Sequence, residues 1–382
     1  MDAKTLTAKL IAIPSFVNAN QGEEKLADFI CAYFSKILPE FKIYKQKVEG
    51  KRYNVIAYNS DQPKLIFSSH MDTVLATGIL KERLTPGIKN DRLYGLGSVD
   101  MKAGLACSIA ATESAKKGAG DLPPMALMFT CGEEYYFEGI KTFLRDIPFK
   151  KGFKPELVVY PEPSNLEISN GCRGCVELEF SIKGKSAHAG RPQAGINAIE
   201  QAVKLVDALK LRLQQNCQPE LGVTTVNLAG LIGGLELDED IGIRANAIAD
   251  TARVVLDIRT SAKEQTAEFI LKIVAELAQV MGLGLKNEIG KLDLQPFILP
   301  KNNLQKMEMA IKYAELAVSY RENLGDSGIG EFSILGAELG WNAINFGPGP
   351  GNVSHKINEY VELKTIDQTV LVFTNLINSF KS

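Results

Sequence analysis

Short apolar runs alternate with amphipathic segments through roughly the first 160 residues of the chain. Apolar runs bounded by Gly, Pro, Ser or Asn are typical of buried strands, and apolar residues spaced three and four apart are typical of helices. These patterns predict helices at 4–12, 23–37, 100–117 and near 137–146, and strands at 54–58, 64–68, 125–130 and 156–160. Strands that alternate with helices indicate βαβ units, and hence a largely parallel sheet covered on both faces.

The order of the predicted elements changes near residue 170. The next elements are strand 175–183, helix 195–214, strands 224–231 and 250–259, helix 262–280 and strand 283–289. This β-α-β-β-α-β order is the split βαβ arrangement, and its length is that of a domain. Helix 303–319, strand 342–346 and helix 363–380 then return to the first pattern. We therefore expect an α/β protein with a mixed, mostly parallel sheet. Its main domain would comprise 1–172 and 291–382, with a ferredoxin-like domain inserted at 173–290.

The composition excludes several classes of partner. The chain has 382 residues, of which 45% are hydrophobic and 23% are charged, as is ordinary for a globular protein of two domains. Its net charge is −2 and its Lys and Arg residues are dispersed, so neither nucleic acid nor an anionic membrane is an expected partner. No segment has the apolar pattern of a signal peptide or a membrane span, so we expect a cytoplasmic protein.

The six cysteines are expected to be free thiols, because the chain lacks a secretory signal. Cys172 and Cys175 form a C-x-x-C motif, but a structural zinc site would need a second pair. The residues after Cys175 alternate like a strand, whereas a redox motif would continue into a helix. We interpret this spacing as incidental.

Acidic and imidazole side chains follow three of the predicted strands. These are His70 with Asp72, Glu133 with Glu134, and Glu162. The carboxyl ends of parallel strands meet at one edge of a sheet, where ligands and catalytic groups collect. A carboxylate behind an imidazole fixes the ring tautomer, a role that Asp72 could fill for His70. The side chains of two adjacent glutamates diverge, so one can bind a metal ion while the other acts as a general base.

Two more candidates, Asp100 and His355, lie in glycine-rich loops, where the backbone can approach a ligand closely. A cluster of His, Asp and Glu without Cys favours a hydrolytic Zn²⁺ site over a structural one. The candidate ligands are His70, Asp100, Glu134, Glu162 and His355. Five protein ligands are more than one tetrahedral zinc with an open position for water can use. The set fits two metal ions about 3.5–4 Å apart that share a carboxylate.

With these motifs in order over nearly its whole length, the chain resembles the co-catalytic di-zinc deacylases and exopeptidases. That family includes acetylornithine deacetylase, succinyl-diaminopimelate desuccinylase, aminoacylase and carboxypeptidase G. The resemblance implies two Zn²⁺ ions per chain, with Co²⁺ or Mn²⁺ as alternatives. It implies that His70 and Glu162 bind one zinc, that Glu134 and His355 bind the other, and that Asp100 bridges them. It further implies that Asp72 supports His70, that Glu133 is the general base, and that the Asp100–Met101 peptide bond is cis.

The inserted unit carries the rest of the resemblance. The segment 184–190 resembles a lid motif whose histidine, here His188, helps to stabilise the oxyanion. The segments 246–249 and 257–259 resemble family motifs in which an Asn and an Arg, here Asn246 and Arg259, hold the carboxylate of the substrate. Backbone near Gly349 would contribute to the same contact. In these relatives the inserted unit also forms the dimer interface, so the resemblance implies a homodimer acting on a small molecule with a free carboxylate.

The sequence differs from the family motifs at two places. Neither difference affects the metal ligands, but both leave the identity of the substrate undecided. Ala249 stands where the family has Pro, and 325–331 lacks the Ser-Asp-Ala motif of the deacetylases and desuccinylases. We expect a hydrolase of amino-acid metabolism that cleaves the amide bond of an N-acyl amino acid, with a dipeptidase or carboxypeptidase as the alternative. A metal-binding homodimer without catalysis is disfavoured because the base Glu133 is present. An aminopeptidase with the same metal core is disfavoured because such relatives lack the insertion.

Overall fold

The computed structural model describes residues 1–16, 22–75, 80–237 and 240–381. Contacts within the chain define two compact units. Unit 1 comprises Met1–Asn170, Leu299–Glu322 and Gly330–Ser382, and unit 2 comprises Gly171–Ile298 and Asn323–Ile329. These boundaries differ slightly from the predicted 172 and 291, and 323–329 belongs to unit 2 instead of the main domain.

The secondary structure follows the predicted order. The helices are α1 (Ala3–Ile11), α2 (Glu24–Ile37), α3 (Leu80–Arg83), α4 (Ala103–Ala119), α5 (Glu138–Arg145), α6 (Ala198–Leu213), α7 (Ala267–Val280), α8 (Gln305–Tyr313), α9 (Glu331–Leu339) and α10 (Leu363–Asn378). The strands are β1 (Lys42–Glu49), β2 (Arg52–Tyr58), β3 (Leu65–His70), β4 (Gly87–Lys89), β5 (Arg92–Tyr94), β6 (Met125–Thr130), β7 (Leu157–Tyr160), β8 (Gly171–Cys172), β9 (Gly174–Lys183), β10 (Thr225–Glu236), β11 (Ile241–Gly242), β12 (Thr251–Thr260), β13 (Gly284–Leu294), β14 (Phe297–Ile298), β15 (Ala343–Asn345) and β16 (Tyr360–Glu362).

Three predicted helices have different bounds for local reasons. The helix expected over 303–319 ends at Tyr313, because Glu315 adopts a positive φ of 58°. The helix expected from residue 100 begins at Ala103, because Asp100 has the non-helical angles φ −119° and ψ 95°. The helix expected from residue 262 begins after Thr266, whose hydroxyl accepts the N–H of Phe269 and caps α7. Strand β1 and helix α9 were not predicted.

The main sheet belongs to unit 1 and has the strand order β1-β2-β6-β3-β7-β15. Its last four strands are parallel, which confirms the expected mostly parallel sheet. Every residue of β3, β6 and β7 is buried. Phe67 of β3 packs on Phe373 of α10, while its neighbour Ser68 donates to Glu331 of α9. Successive strand residues point to opposite faces, so α10 and α9 cover opposite faces of the sheet.

The register of this sheet brings the predicted site residues to one edge. His70 pairs with Thr130 across β3 and β6, and Phe67 pairs with Val159 across β3 and β7. Strands β3 and β6 therefore end at the same level, and β7 ends two residues earlier at the same edge. The loops that carry Asp72, the pair of glutamates and Glu162 all leave from there. His70 itself is the last residue of β3, whereas the sequence placed it just past the strand.

The longer helices and strands of unit 2 follow the order β9-α6-β10-β12-α7-β13, which confirms the split βαβ arrangement. Its sheet is antiparallel, in the order β11-β10-β12-β9-β13. Alternate residues of β9, such as Leu178 and Phe180, lie in one core with Leu205 of α6 and Ile270 of α7. Each such side chain contributes about 1.5–3 kcal/mol when fully buried.

Two further observations bear on the sequence analysis. Cys175 lies within β9, as the alternation predicted, and both cysteines of the C-x-x-C motif are buried. None of the helices in the described ranges combines the length and the apolar character that a bilayer crossing requires.

Candidate active site

His70 lies at the centre of the polar cluster of unit 1 and is fully buried. Its Nε2 atom is 2.8 Å from Oε1 of Glu162 and 3.2 Å from Oδ1 of Asp100. Its Nδ1 atom is 3.0 Å from the backbone carbonyl of Asp72 and 3.6 Å from Oδ1 of the same residue. Burial alone would lower the pKa of His70, but the carboxylates of Asp100, Asp72 and Glu162 outweigh it and raise the pKa well above its usual value.

Asp100 lies between the two imidazoles that were predicted as ligands. Its Oδ1 is 3.2 Å from Nε2 of His70, and its Oδ2 is 3.2 Å from Nε2 of His355. The Asp100–Met101 peptide bond is cis, as the resemblance implied. Each oxygen of this carboxylate therefore faces a different imidazole, the arrangement that a bridging ligand requires.

His355 also meets the second of the two adjacent glutamates. Its Nε2 atom is 3.2 Å from both Oε1 and Oε2 of Glu134. The carboxylates of Asp100 and Glu134 raise the pKa of His355 to about 11. Burial of the ring would lower this pKa, but the ring is only partly buried and the carboxylates dominate. One face of the cluster is therefore open, because 53% of the His355 side chain is exposed.

Asp72 connects His70 to the loop that carries the glutamate pair. Its Oδ1 accepts the backbone N–H of Glu133 at 3.2 Å, and its Oδ2 accepts that of Glu134 at 3.0 Å. Burial would raise the pKa of Asp72, but His70 and these two N–H groups hold it below its usual value. Asp72 is thus in place to orient both the imidazole and the start of the Glu133-Glu134 turn.

Close packing brings the loop of Asp100 against that of Glu162. Helix α4 passes the backbone of Pro161 so closely that a Cβ on Gly104 would lie 1.9 Å from the Pro161 carbonyl oxygen. Only glycine permits this approach. The glycine of the Asp-Met-Lys-Ala-Gly motif is thereby explained by packing between two ligand loops.

The cluster carries more negative charge than its two imidazoles balance. Burial raises the pKa of Glu162 to about 8, and the nearby charge of Asp100 acts in the same direction. Burial also raises the pKa of Glu133 well above its usual value, with further contributions from Glu134, Glu162 and Asp100. Groups with such shifts concentrate at functional sites. Glu133 has the raised proton affinity that a general base at neutral pH needs.

Divalent metal ions fit this donor set. His70, Asp100 and Glu134 offer ligand atoms that all lie within 4.8 Å of one another. Imidazole and carboxylate donors without thiolate are typical of catalytic Zn²⁺ and related ions. Cations would also offset the excess of buried carboxylates. Glu162 lies beside His70, and His355 lies beside Glu134, so these two residues could add donors to the same site.

Sequence reasoning missed three buried charged residues around the cluster. Glu359 accepts backbone N–H groups from the loop of Asp100. Lys102 donates to the carbonyl oxygens of Leu10 and Ile13 at the end of α1, and burial lowers its pKa to about 7. Glu331 accepts from Thr130 at 2.5 Å and from Ser68 at 3.3 Å. Lys102 follows Asp100-Met101 directly in the sequence, and this proximity is the one signal that could have identified it as part of the site.

The predicted site residues of unit 2 form their own arrangement. His188 pairs with Ala247 in an isolated β-bridge, and Ala189 donates its N–H to the carbonyl of Asn246 at 2.9 Å. The Nδ1 atom of His188 accepts the N–H of Gly190 at 3.0 Å. The neutral ring must then carry its proton on Nε2, which is an exposed donor. The structure thus brings His188 and Asn246 onto adjoining backbone segments.

Arg259 is already paired within unit 2. Its Nε and Nη2 atoms donate to the two carboxylate oxygens of Asp257 at 2.8 and 2.9 Å. This bidentate contact fixes the guanidinium plane. Within the described residues, Nη1 of Arg259 has no such contact.

Gly349 lies in unit 1 with a positive φ of 75°, and a Cβ there would lie 2.6 Å from Cγ2 of Val99. Its carbonyl oxygen accepts the N–H of Asn165 at 2.8 Å. The loop that leads to His355 is therefore held against the Asp100 loop on one side and the loop after Glu162 on the other.

Comparison with known sequences and structures places the chain among metallopeptidases. The profile of peptidase family M20/M25/M40 matches residues 66–379. The acetylornithine deacetylase of Buchnera aphidicola subsp. Schizaphis graminum is 27% identical over 391 residues, which cover 97% of this chain and 96% of that one.

Two solved structures share the fold over almost the whole length. A tripeptidase of Staphylococcus aureus superposes with a TM-score of 0.80 at 20% identity, covering 99% of this chain and 97% of that one. A dinuclear metal binding peptidase of Bacillus subtilis superposes with a TM-score of 0.70 at 14% identity, covering 100% of this chain and 98% of that one.

Proposed function

The chain belongs to peptidase family M20/M25/M40, and we propose that this hydrolase uses two zinc ions to cleave the amide bond of an N-acyl amino acid. One observation carries the two-metal part of the proposal. The two oxygens of Asp100 each lie 3.2 Å from the Nε2 atom of a different imidazole, that of His70 and that of His355. A carboxylate shared in this way is the feature that a pair of metal ions requires and a single ion does not.

The ligands divide into two sets around Asp100. His70 and Glu162 would hold one ion, and Glu134 and His355 would hold the other. Two bound zinc ions supply Lewis acidity to the amide carbonyl and make water more acidic, toward a pKa of about 7. Co²⁺ or Mn²⁺ have the same kinds of ligand and could replace zinc.

Glu133 carries the protons of the reaction in this proposal. Its backbone N–H is held by Asp72, and its carboxylate is not part of either ligand set. The carboxylate accepts a proton from the attacking water as the new C–O bond forms. It then returns that proton to the amide nitrogen as the C–N bond breaks, which leaves an acid and an amine as products.

Residues of unit 2 hold the substrate. The Nε2–H group of His188 would donate to the oxyanion that develops on the amide carbonyl, and such a donor contributes about 2.7–4 kcal/mol. Arg259, with Asn246 and the backbone at Gly349, would bind the free carboxylate of the amino-acid half. Asp257 favours this role for Arg259, because it holds the guanidinium plane in one orientation.

We also propose a cytoplasmic homodimer in which the second unit is the lid and the dimerisation domain. In the described part of unit 2, β10 pairs with β12 along one edge, while β11 covers only Leu235 and Glu236 on the other. An edge of this kind can pair with the same strand of a second copy across a two-fold axis. Six cysteines without a disulfide between them suit a reducing compartment.

A substrate panel tests the proposed reaction. The purified chain would be stripped of metal with a chelator, reloaded with Zn²⁺, Co²⁺ or Mn²⁺, and assayed on N-acetyl and N-succinyl amino acids and on unacylated dipeptides. The proposal predicts no turnover without metal and the highest kcat/KM on an acylated amino acid with a free α-carboxylate. Preference for unacylated dipeptides would instead establish the dipeptidase or carboxypeptidase alternative. Metal binding without turnover on any amide would point to a non-catalytic relative.

A further inference from the structure

Glu359 is a buried carboxylate that binds backbone. Only 1% of its surface is exposed. Its Oε2 accepts the N–H of Gly97 at 3.1 Å, and its Oε1 accepts the N–H groups of Val99 at 3.0 Å and Asp100 at 3.2 Å. Its own carbonyl oxygen accepts the N–H of Gly95 at 3.3 Å. This one residue therefore makes four hydrogen bonds to the loop that ends at Asp100.

The loop turns sharply at the positions that Glu359 binds. Gly97 has a positive φ of 73°, and Asp100 has non-helical angles just before α4 begins. Consecutive N–H groups that point to one side form a concave anion-binding turn, and without an acceptor they would be buried unpaired. The carboxylate of Glu359 is the acceptor that this turn contains. The orientation of the Asp100 backbone, and hence of its side chain, depends on it.

Glu359 is also only four residues beyond His355. Arg83 stabilises the short connection between His355 and Glu359. The guanidinium of Arg83 donates to the carbonyl of Ile357, and Nη2 of Arg83 lies 3.9 Å from the Glu359 carboxylate. Glu359 thus joins the loop of Asp100 to the loop of His355. These two loops supply the 3.2 Å approach between Asp100 Oδ2 and His355 Nε2.

We propose that Glu359 is a positioning residue that fixes Asp100 relative to His355 and so determines how tightly the chain binds its second metal ion. Glu359 touches neither ion nor substrate in this account. The inference rests on the metal centre of the proposed function. Removal of comparable supporting groups in metal sites typically lowers metal affinity by about 10- to 100-fold.

The variant Glu359→Gln isolates the effect of the second acceptor oxygen. A glutamine keeps the size of the side chain and can still accept from Val99 and Asp100. Its amide nitrogen would then face the N–H of Gly97, so that two donors oppose each other. Glu359→Asp keeps both acceptors on a side chain shorter by one methylene. Glu362→Gln is the matched control, since Glu362 loses the same charge three residues away but is 39% exposed and pairs with Arg92 at the surface.

The test is a titration of the metal-free proteins with Co²⁺. Calorimetry measures the affinity for each ion, and visible absorption reports the coordination of each ion. Thermal unfolding of the metal-free proteins measures whether each variant folds. We expect Glu359→Gln to bind the second Co²⁺ about 10- to 100-fold more weakly and with an altered absorption spectrum. Glu359→Asp should lie between this variant and the wild type, and Glu362→Gln should match the wild type in both readouts.

Two results would overturn the inference, and they can be told apart. If the wild type binds two Co²⁺ ions and Glu359→Gln binds both with unchanged affinity and spectrum, the positioning role is wrong while the metal centre stands. If the wild type binds fewer than two, the metal centre is wrong and the inference falls with it. Should Glu359→Gln fail to fold, Glu359→Asp decides, and wild-type affinity and spectrum in that variant would contradict the proposal.

Discussion

The carboxylate of Asp72 accepts the backbone N–H of Glu134 at 3.0 Å, although the two residues are 62 positions apart in the sequence. Its other oxygen accepts the N–H of Glu133 and lies 3.6 Å from Nδ1 of His70. One buried side chain therefore connects the first imidazole to the loop that carries both glutamates. The geometry of the metal ligands and that of the base depend on the same contact.

Replacement of Asp72 by asparagine should disturb both functions together. The amide keeps one acceptor but turns a donor toward one of the two backbone N–H groups, which leaves that group unpaired. We expect metal affinity and kcat each to fall by about 10- to 100-fold. Calorimetry with Zn²⁺ and steady-state kinetics at saturating metal separate the two effects. Wild-type values of both in a folded variant would show that the contact is dispensable.

Arg259→Lys should lower the catalytic efficiency on substrates with a free carboxylate and leave it nearly unchanged on substrates without one. Lysine keeps the charge but loses the planar fork that pairs with Asp257 and would bind the substrate. We expect kcat/KM to fall by about 10- to 100-fold for substrates with a free carboxylate and to change little for their amides. Arg253→Lys is the control, because Arg253 lies on the same strand, pairs with Glu179 and has a side chain that is 51% exposed. Equal losses on acid and amide substrates would exclude carboxylate binding.

Strand pairing of unit 2 across a two-fold axis could carry the loop of His188 over the cleft of the second copy in the proposed homodimer. We therefore predict that His188 completes the active site of the neighbouring subunit, and complementation tests it. His188→Ala and Glu133→Ala should each be nearly inactive alone. When the two variants are unfolded, mixed and refolded, about half of the dimers should be mixed, and one of the two sites in each mixed dimer retains both residues. We therefore expect recovery of about a quarter of wild-type activity. Mixed dimers without activity would place His188 in its own chain's site or outside catalysis.

Glu331 should make the stability of the metal-free protein depend on pH. Burial raises its pKa to about 7 from the ordinary 4.5 of an unfolded chain, despite the hydroxyls of Thr130 and Ser68. Because the folded state holds the proton more tightly, the stability that Glu331 contributes is fully present below pH 4.5 and is lost as the pH rises through 7. Glu331→Gln should therefore gain about 3 kcal/mol relative to the wild type across this interval.

Chemical denaturation from pH 4.5 to 8 measures this difference. Glu338→Gln, an exposed glutamate on the same helix, should follow the wild type at every pH. A constant difference between Glu331→Gln and the wild type would mean that Glu331 does not titrate in this range in the folded protein.

Much of the fold followed from local patterns. The apolar runs of β3, β6 and β7 are buried on both faces, so a short apolar run bounded by polar residues was sufficient to find them. Helix α9 was missed because its first six residues, Glu331 to Gly336, are all buried, which removes the amphipathic period. Strand β1 was missed because it is an edge strand with one fully buried residue, so its alternation is weak.

The candidate metal ligands and the candidate base could be predicted from the sequence, whereas the residues that support them could not. Imidazoles and carboxylates after strand ends are visible in sequence, and the structure brings His70, Asp100, Glu134, Glu162 and His355 together. The supporting residue Glu359 was not predictable, because its partners are backbone N–H groups about 260 residues away, which no residue type reveals. Likewise, the pairing of Arg259 with Asp257 depends on strand geometry that places both side chains on one face.

Glu133 and Glu134 provide the most direct test of the proposed mechanism, because they are adjacent and only one of them would bind a metal ion. The measurement is metal content together with kcat for Glu133→Gln, with Glu134→Gln beside it. We expect Glu133→Gln to retain two metal ions per chain while kcat falls by about 10²- to 10⁴-fold, the range for loss of a general base. Glu134→Gln should bind the second ion weakly. Loss of one metal ion from Glu133→Gln, or activity unchanged in that variant, would contradict the two-metal mechanism with Glu133 as its base.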